Sequence, residues 1–300
     1  MSVKVTVVIL TYNHERFIEQ ALESVLNQER SFPVRIIVAD DGSTDKTVQL
    51  VEKYRQADPD TICLLEKSTN QGVKSNIISC LSEIRGEYIA VLDGDDYWSN
   101  TKKLAIQVDF LDNNPDFNGV FHDAEIIHVD TAQSVLFNQK KYYSQSYVFK
   151  DVIFPSDLLS RKMILPSSSA LLRSSSLQSV DTTILSDNYS ILWKLTCIAI
   201  RWSKFYFINE VMSVYHNHQK GISKSNNEAF HKSHIQFLHR LLTDECYKNY
   251  KYDIYLAVSN EYKILLDSKQ NNLNKKQLFR KYIGSEIRKI KHYRKSLFKK

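Results

Sequence analysis

The 300-residue sequence lacks several features that would define other classes of protein. It has no apolar run near the roughly 18–20 residues that a membrane-spanning helix needs. Its four cysteines, Cys63, Cys80, Cys197 and Cys246, form no CxxC pair and lie within apolar patterns. We therefore expect reduced core cysteines and a cytoplasmic location rather than a disulfide framework. The segment MSVKVTVVIL is expected to form a first strand rather than a signal peptide, because no small-residue cleavage site follows it.

Glycine-rich phosphate-binding loops are missing as well. The sequence contains neither GxGxxG nor GxxxxGK[ST], and no acidic loop has the D-x-D-x-D-G spacing of an EF-hand. These absences exclude a dinucleotide-binding fingerprint, a P-loop and an EF-hand calcium loop. A phosphate ligand would have to be held by a metal ion and by side chains instead, and Lys74 is a candidate donor.

Basic residues are concentrated at the end of the chain. The net charge is +6, but residues 275–300 hold eleven Lys or Arg and one acid, Glu286, which gives +10 there and leaves −4 for the rest. Apolar residues recur in this segment at approximately helical spacing: Phe279, Ile283, Ile287, Ile290 and Leu297. We predict a helix that lies on an anionic membrane surface, peripheral on the inner face of the membrane. A solvated basic tail is the alternative. Nucleic-acid binding is not expected, because the body is acidic and no recognition motif occurs.

The first 130 residues alternate between strand-like and helix-like patterns. Strands are predicted at 3–10, 35–40, 61–66, 87–92 and 119–129, with helices at 15–28, 44–57 and 73–85 and another before 119. Repeated strand–helix units of this size predict an α/β fold with a parallel sheet and right-handed crossovers.

The second half of the chain is less regular. Residues 130–165 are irregular and rich in aromatic side chains. The later patterns predict a strand at 167–173, a helix at 186–201, two short strands at 205–218 and helices from about 228 to 268.

Polar clusters stand at the ends of three predicted strands. They are TYNH (11–14), DDGSTD (40–45) and DGDD (93–96). In open α/β sheets, ligands bind outside the carboxyl ends of the strands. We therefore expect the three clusters to meet on one edge of the sheet.

The DGDD cluster places three carboxylates, Asp93, Asp95 and Asp96, within four positions. Adjacent carboxylates repel and raise one another's pKa, so a partner of positive charge is expected. Hard oxygen ligands without cysteine or clustered histidine nearby suit Mg²⁺ or Mn²⁺, which commonly take one or two carboxylates and fill their coordination with phosphate oxygens. The alternative is an Asp-rich turn that caps the next helix.

The DDGSTD loop follows the second strand. We predict that Asp40, at the strand tip, accepts a hydrogen bond from a nucleobase N–H group. The alternative, which is compatible with the first, is that Ser43 or Thr44 caps the following helix.

Together the segments VVILTYNHERFIEQALESVLNQ, VADDGSTDKT, NQGVKSN, GEYIAVLDGDDYW and FINEVMSVYHNHQKGIS resemble the family-2-type inverting glycosyltransferases, and in particular bacterial capsule and O-antigen polysaccharide glycosyltransferases. The resemblance covers residues 3–128 closely and resumes at 207–223. It implies the Rossmann-like GT-A nucleotide-diphospho-sugar transferase fold with a C-terminal helical extension. The expected glycosyltransferase domain is 1–223, with a nucleotide and metal half at 1–128 and an acceptor half at 129–223. The extension is 224–300, and its basic tail is 275–300.

The resemblance also implies roles for individual residues. The expected nucleotide-binding residues are Thr11, Tyr12, Asn13, Asp40, Asp41, Lys74, Asp93 and Gly94. The expected contacts to Mn²⁺ or Mg²⁺ are Asp95, Asp96 and His218. Asp93 and Asp95 match a DxD motif, whereas Asp95 and Asp96 match the shorter DD motif, so which carboxylate binds metal and which binds ribose stays open. His216 occupies the position where the family has arginine, which weakens one expected phosphate contact.

The implied reaction is an in-line displacement on a nucleotide-diphosphate sugar, a UDP-sugar by family frequency, with a glycan or lipid-linked saccharide as acceptor. A general base must take the proton of the acceptor hydroxyl. Asp187 is the candidate, although it lies six residues before Trp193 where relatives have the acid about four before. A helix N-cap is its alternative role, and Asp181 is the second candidate for the base.

Two other functions are weighed against this one. A nucleotidyltransferase on a related fold usually has a Gly-rich loop after the first strand, and LTYNHERF has none. A catalytically inactive nucleotide-sugar-binding subunit of a polysaccharide synthesis complex is opposed by the intact acidic cluster and favoured by the altered spacing at Asp187.

Overall fold

The structure is a computed structural model. It describes residues 2–131, 133–137, 151–160, 166–178, 180–185, 187–201, 203–218, 228–267 and 275–297. The chain forms two compact units. The first, the sheet unit, comprises 1–153, 165–180 and 198–219, and the second, the helical unit, comprises 154–164, 181–197 and 220–300. The domain boundaries predicted at 128 and 223 stay predictions. By compactness alone, segments 154–164 and 181–197 group with the helices after residue 220.

The sheet unit begins with the predicted alternation of strands and helices. Strand β1 is buried at all seven positions and α1 buries Ile18, Ala21, Leu22 and Val25, an i, i+3, i+4, i+7 stripe that faces the sheet core. The elements are β1 (Val5–Thr11), α1 (Ile18–Leu26), β2 (Val34–Asp40), α2 (Thr47–Ala57), β3 (Ile62–Glu66), α3 (Val73–Leu81), β4 (Tyr88–Asp93), β5 (Tyr97–Trp98), α4 (Lys103–Asn113) and β6 (Phe117–His128).

The sheet is completed by four later strands, β7 (Gln133–Phe137), β8 (Val152–Ile153), β9 (Leu171–Arg173) and β10 (Lys204–Asn217). The strand order is β3-β2-β1-β4-β9-β6-β10-β5, with β7 on β6 and β8 on β10. Strands β1 to β4 pair in parallel, whereas β9 is antiparallel to both of its neighbours. The predicted α/β class is confirmed. The sheet is largely parallel, and β9 makes it a mixed sheet.

The prediction of two short strands at 205–218 is wrong, because β10 is one strand of 14 residues. Its pairing with β6 shifts register between Ile208 and Val211 and again between Val211 and Ser213. Such bulges bend a strand without ending its ladder. The predicted strand at 167–173 is also shorter than expected, since residues 167–169 form a 3₁₀ turn.

The register of the parallel strands brings the polar clusters together, as the sequence predicts. Thr11 at the end of β1 pairs with Asp40 at the end of β2. On the other side of β1, Leu10 pairs with Asp93 at the end of β4. The three clusters therefore share one edge of the sheet.

The helical unit contains α5 (Pro155–Leu159), most of α6 (Ile191–Ala199), α7 (Glu228–Leu241), α8 (Lys251–Asp267) and α9 (Lys275–Leu297). Helix α8 packs against both α7 and α9. Its buried residues include Ile254, Ala257, Val258 and Leu265, and those of α7 include Ile235, Phe237 and Leu238. None of the helices that the structure describes combines the length and the apolar character needed to cross a bilayer.

Candidate functional site

Asp95 stands at the centre of the site on the sheet edge. Its Oδ2 lies 2.9 Å from Nε2 of His218 and 3.7 Å from Nε2 of His14. The His218 ring stacks on Phe17 with ring centroids 5.5 Å apart, which fixes the ring beside the carboxylate. The segments that follow β1 and β10 thus place imidazole nitrogens beside the carboxylate of Asp95, which follows β4.

The two other carboxylates of the cluster are held by the protein fold. Asp93 Oδ2 accepts a hydrogen bond from Ser167 Oγ at 2.8 Å. Asp96 is 1% exposed, and its Oδ1 accepts from the His216 backbone N–H at 3.0 Å. Its buried Oδ2 has no hydrogen-bond partner among the residues that the structure describes. The His216 ring also contacts the Asp95 carbonyl oxygen, with Nδ1 at 2.6 Å. The position where arginine was expected therefore supports the backbone of the acidic cluster.

In the described part of the chain, only histidines, His218 and His14, form ion-pair contacts with this acidic cluster. Burial and the neighbouring Asp95 charge raise the pKa of Asp93 to about 7. Burial and the charges of Asp95 and Asp93 also raise the pKa of Asp96 well above its ordinary value. Burial lowers the pKa of His14, so its ring favours the neutral form. At neutral pH the site therefore favours an added proton or an added cation.

The residues present fit a divalent cation that takes few ligands from the protein. Within the described ranges, no group of three or more His, Cys, Asp or Glu side chains has the geometry to hold a metal ion. Asp95 Oδ2 and His218 Nε2 lie 2.9 Å apart, a spacing that two ligands of one such cation can have, and ligation by these two residues stays a prediction. Mg²⁺ and Mn²⁺ sites of this kind are completed by water and substrate phosphates. The unpartnered Asp96 Oδ2 retains its acceptor capacity, and ligation by Asp96 stays a prediction.

A turn of three serines supports the acidic cluster from the neighbouring strand. Ser167 binds Asp93, and the carbonyl oxygen of Ser168 accepts from Trp98 Nε1 at 2.9 Å. Gln107 Nε2 donates to the Ser169 carbonyl oxygen at 2.8 Å. Because these bonds come from β5 and α4, the turn keeps its place relative to Asp93.

The DDGSTD loop is tied to the end of β1. Asp40 is fully buried and its carboxylate accepts from the backbone N–H groups of Gly42 and Ser43 and from Ser43 Oγ. Asn13 has φ +56 and its Oδ1 accepts from the Thr44 N–H at 2.8 Å. The expected helix cap at Ser43 or Thr44 is wrong, because α2 begins at Thr47 and its N-cap, Lys46, makes no side-chain capping bond. The bond of Asp40 to a nucleobase stays a prediction.

Asp41 orders the loop that precedes α3. Its carboxylate accepts from the backbone N–H groups of Gln71 (3.0 Å) and Gly72 (2.7 Å), and Lys67 forms an ion pair with it at 3.4 Å. Lys74 follows as the second residue of α3 and is half-buried. The acidic side chain therefore fixes the segment on which this predicted phosphate donor lies.

Gly94 is required by close packing. A Cβ atom at this position would lie 2.9 Å from His14 Nδ1 and 3.0 Å from Thr11 Cβ. Thr11 is 3% exposed, and Tyr12 beside it is 40% exposed. The absence of a side chain at Gly94 lets β1 and the acidic cluster approach each other.

Asp187 belongs to the helical unit. Its Oδ1 accepts from Ser233 Oγ at 2.6 Å, from Lys194 Nζ at 2.9 Å and from the Tyr189 N–H at 2.9 Å. Burial alone would raise the pKa of Asp187, but the bonds from Ser233 and Lys194 lower it below its ordinary value. Asp181, the second candidate, accepts from the Thr183 N–H as an N-cap and is exposed. Asp187 is thus held as a carboxylate.

Sequence reasoning missed His14 and Ser167 as members of the site. His14 belongs to the TYNH cluster, and that was the available signal. Ser167 lies in a serine run 74 residues from Asp93, and the sequence carries no signal that joins the two.

Three comparisons relate the chain to known proteins. The family described as "Glycosyl transferase family 2" matches residues 6–175, more than half of the chain. An uncharacterized protein, Rv1520, of Mycobacterium tuberculosis is 32% identical over 217 residues, which are 72% of this chain and 60% of the relative. The chain therefore spans less than two thirds of that relative. The poly(ribitol-phosphate) beta-N-acetylglucosaminyltransferase TarS of Staphylococcus aureus is 34% identical over 114 residues, 37% of this chain and 19% of TarS.

Solved structures show the same fold at low sequence identity. Residues 1–349 of S. aureus TarS, in complex with UDP-GlcNAc, have a TM-score of 0.67 and 19% identity, and the match covers 94% of this chain and 79% of that one. The mannosyltransferase PcManGT from Pyrobaculum calidifontis, in complex with GDP-Man and Mn²⁺, has a TM-score of 0.56 and 18% identity over 100% of this chain and 88% of that one. The predicted family and fold are confirmed: the chain belongs to glycosyl transferase family 2 and has the GT-A fold.

Proposed function

We propose that this protein transfers a sugar from a nucleotide-diphosphate donor to a glycan or lipid-linked saccharide in surface polysaccharide assembly. The donor is a UDP-sugar, and the reaction inverts the anomeric centre. The observation that carries the proposal is the meeting of Asp95 with His218 and His14 beside two further carboxylates whose charge the protein leaves unbalanced. The TarS structure with UDP-GlcNAc supports UDP as the nucleotide.

The nucleotide is bound along the edge formed by the ends of β1, β2 and β4. Thr11, Tyr12 and Asn13 line the pocket, and Asp40 accepts from the base. Asp41 fixes the loop before α3, and Lys74 in the first turn of that helix contacts phosphate. Asp93 and the backbone at Gly94 contact the ribose. The half-exposed Tyr12 offers a ring on which a base can stack.

Asp95, Asp96 and His218 would hold Mn²⁺ or Mg²⁺, and oxygens of the donor diphosphate would complete the coordination of the cation. When bound, the cation supplies positive charge that stabilises the leaving diphosphate. Burial and mutual repulsion raise the pKa values of Asp93 and Asp96, and positive charge beside them favours the ionised carboxylates. His216, which replaces the expected arginine, holds the Asp95 backbone in place.

Asp187 takes the proton from the acceptor hydroxyl. A lowered pKa keeps its carboxylate ionised at neutral pH, as a base must be. The oxygen Oδ1 accepts the bonds from Ser233 and Lys194, which fix the plane of the carboxyl group. Asp187→Asn retains the shape of the side chain and removes this proton acceptor.

The test is turnover of a donor panel, UDP-GlcNAc, UDP-glucose, UDP-galactose and GDP-mannose, with Mn²⁺ and a panel of oligosaccharide and lipid-linked acceptors. Released nucleotide and the anomeric proton coupling of the product are measured. We expect one UDP-sugar to be consumed and its α linkage to become β. Turnover of none of the donors with any acceptor contradicts the transferase proposal, and a retained α linkage contradicts inversion.

Attachment to an anionic membrane surface is the further part of the proposal. Helix α9 exposes Ile283, Ile287 and Ile290, which are 39%, 60% and 50% exposed and lie at i, i+4 and i+7. Exposed Lys281, in the same helix, and the basic residues around it supply positive charge. Isoleucines beside cations suit the interface of an anionic bilayer. The side chains of Phe279 and Leu297, also in the predicted stripe, lie outside those described.

Vesicle sedimentation tests the attachment. The intact protein is expected to pellet with phosphatidylglycerol vesicles and to stay in solution with phosphatidylcholine vesicles. Replacing Ile283, Ile287 and Ile290 together by serine is expected to abolish pelleting, whereas replacing the exposed Ile264 of α8 (46% exposed) by serine leaves it unchanged. Equal pelleting of the triple variant would contradict the assignment.

A further inference from the structure

The turn from Asp187 to Ser190, which leads into α6, is held at both ends by consecutive residues of α7. At its first residue, Asp187 Oδ1 accepts from Ser233 Oγ at 2.6 Å. At its last residue, Ser190 Oγ lies 2.8 Å from His234 Nε2. Ser233 and His234 are buried, 3% and 0% exposed. One turn of α7 therefore contacts both ends of the segment that carries Asp187.

Proton counting fixes the direction of the first contact. Lys194 Nζ lies 2.9 Å from both Asp187 Oδ1 and Ser233 Oγ. An ammonium group only donates, so the Ser233 oxygen accepts from it and the single hydroxyl proton goes to Asp187. Lys194 is fully buried, and its charge faces this pair. The Ser233 hydroxyl thus bridges the Lys194 ammonium group and the Asp187 carboxylate, which also contact each other directly. These bonds restrict the carboxyl group to one orientation.

The second contact is set by Glu261 of α8. Its Oε1 lies 3.0 Å from His234 Nδ1 and its Oε2 lies 2.6 Å from His231 Nδ1. Glu261 is 1% exposed, and a buried carboxylate is stabilised by hydrogen-bond donors. Its two oxygens therefore accept from the Nδ1–H groups of His231 and His234. With the proton of His234 on Nδ1, its Nε2 accepts from Ser190 Oγ–H; this tautomer is assigned from the hydrogen-bond network.

Ser190 needs such a contact because of its backbone. It has φ +50, one of two positive values at non-glycine residues in the described part of the chain. A left-handed conformation is uncommon for serine and persists where neighbouring groups determine it. Because the bond to His234 fixes Ser190, it also fixes the direction in which the chain leaves Asp187 toward α6.

We propose that α7 is the positioning element of the general base, with Ser233 aligning the Asp187 carboxylate and His234, oriented by Glu261, aligning the turn. This inference rests on the role of Asp187 in the proposed function. It assigns to two helices beyond the matched family region, residues 6–175, a part in setting the base. Ser233 and His234 are positioning residues that act through Asp187 and Ser190.

The first test concerns Ser233. In Ser233→Ala the carboxylate loses a donor, so the pKa of Asp187 shifts upward, and in Ser233→Thr the hydroxyl and the pKa are retained. Carboxyl-carbon NMR of Asp-labelled protein measures this titration without any substrate, with the Asp187→Asn spectrum assigning the resonance. The acid limb of kcat is expected to move in the same direction, with kcat lowered roughly tenfold by misalignment and KM for the donor unchanged.

The second test concerns His234. His234→Ala and Glu261→Gln are expected to lower kcat by a similar factor without weakening UDP binding, and His234→Gln, whose amide oxygen can accept from Ser190, is expected to restore most of it. His239→Ala is the matched control, since His239 lies on the same helix and its buried Nε2 has no hydrogen-bond partner within the described ranges. Thermal unfolding of every variant shows whether the fold is retained.

The outcomes separate the two proposals. Loss of kcat in Asp187→Asn together with an unmoved Asp187 titration in Ser233→Ala overturns the positioning inference and leaves the base intact. Full kcat in Asp187→Asn overturns the base, and with it the role given to α7. If the wild-type protein transfers no sugar, the proposed function fails, and the role of α7 in setting a general base fails with it. An Asp187 titration that moves in Ser233→Ala and not in Ser233→Thr would then still show that Ser233 aligns the carboxylate.

Discussion

The two acidic centres of this protein differ in how their charge is balanced. At the sheet edge, Asp93 and Asp96 have raised pKa values because they are buried beside Asp95. In the helical unit, Asp187 has a lowered pKa, because Ser233 and Lys194 bind the same oxygen against the effect of burial. In the proposed function an added cation completes the first centre, whereas the second centre has Lys194 of α6 as its cation.

This difference supports the roles proposed for the two centres. Carboxylates that repel one another form a site that binds and releases a charged ligand, because the ligand restores the balance. A carboxylate that is already paired keeps one protonation state and one orientation through a reaction cycle. A donor site needs the first property, and a general base needs the second.

The largest expected effect comes from removing the central carboxylate. Asp95→Ala takes away the oxygen shared by His218 and His14, and we expect kcat/KM to fall by at least about a hundredfold because the charge that holds the cation is lost. Steady-state kinetics with saturating Mn²⁺ measures it. Asp60→Ala, at an exposed turn, is the control. A loss below about fivefold would show that Asp95 is not central.

A second prediction separates the centres by stability. Asp187→Asn leaves the fully buried Lys194 without its carboxylate, and we expect the free energy of unfolding to fall by about 2 kcal/mol, less than for a wholly buried pair because the Asp187 side chain is 25% exposed. Urea unfolding measures it. The double variant Asp187→Asn with Lys194→Met should lose less than the sum of the single losses. Strict additivity would mean that the pair is not coupled.

At the sheet edge, removing a carboxylate charge is expected to stabilise the protein, in contrast to Asp187. Asp93 has its pKa raised from 3.8 to about 7, so its contribution to stability is fully present below about pH 4 and is lost as the pH rises through 7. In EDTA at pH 8, Asp93→Asn is therefore expected to raise Tm by about 2–5 °C, and at pH 4 to leave it unchanged. Scanning calorimetry at the two pH values decides it; a decrease at pH 8 would refute the assignment of unbalanced charge.

The smallest effect concerns backbone packing. Gly94→Ala puts a Cβ atom 2.9 Å from His14 Nδ1, and we expect nucleotide affinity to fall by roughly fivefold as the cluster moves away from β1. Gly284→Ala on α9, where the nearest atom is 3.5 Å away, is the matched control and should leave binding unchanged. Titration calorimetry measures both. Unchanged binding in Gly94→Ala would show that this close approach is not needed.

The donor side could be predicted from the sequence because its geometry follows from chain periodicity. TYNH, DDGSTD and DGDD each end a parallel strand, and parallel pairing brings strand ends to one edge. What escaped prediction there, such as the Ser167 contact to Asp93, joins residues 74 positions apart through β9, whose pairing has no local pattern.

The helical unit was far less predictable. Ser233, His234 and Glu261 read as ordinary helix positions, and their meaning depends on which faces of α7 and α8 turn toward residues 187–190. Helical periodicity gives a buried face but not its partner. The single long β10 was missed for a related reason, since its bulges interrupt the alternation that defines one strand.

The most direct test of the central claim is titration calorimetry of UDP, GDP, CDP and TDP into the protein with Mn²⁺ and, separately, with EDTA. We expect UDP to bind with Mn²⁺, EDTA to abolish the binding, and Asp95→Ala to abolish it even with Mn²⁺. Binding of none of the four nucleotides, or binding of UDP that is equal with Mn²⁺ and with EDTA, would contradict a cation-dependent donor site at Asp95.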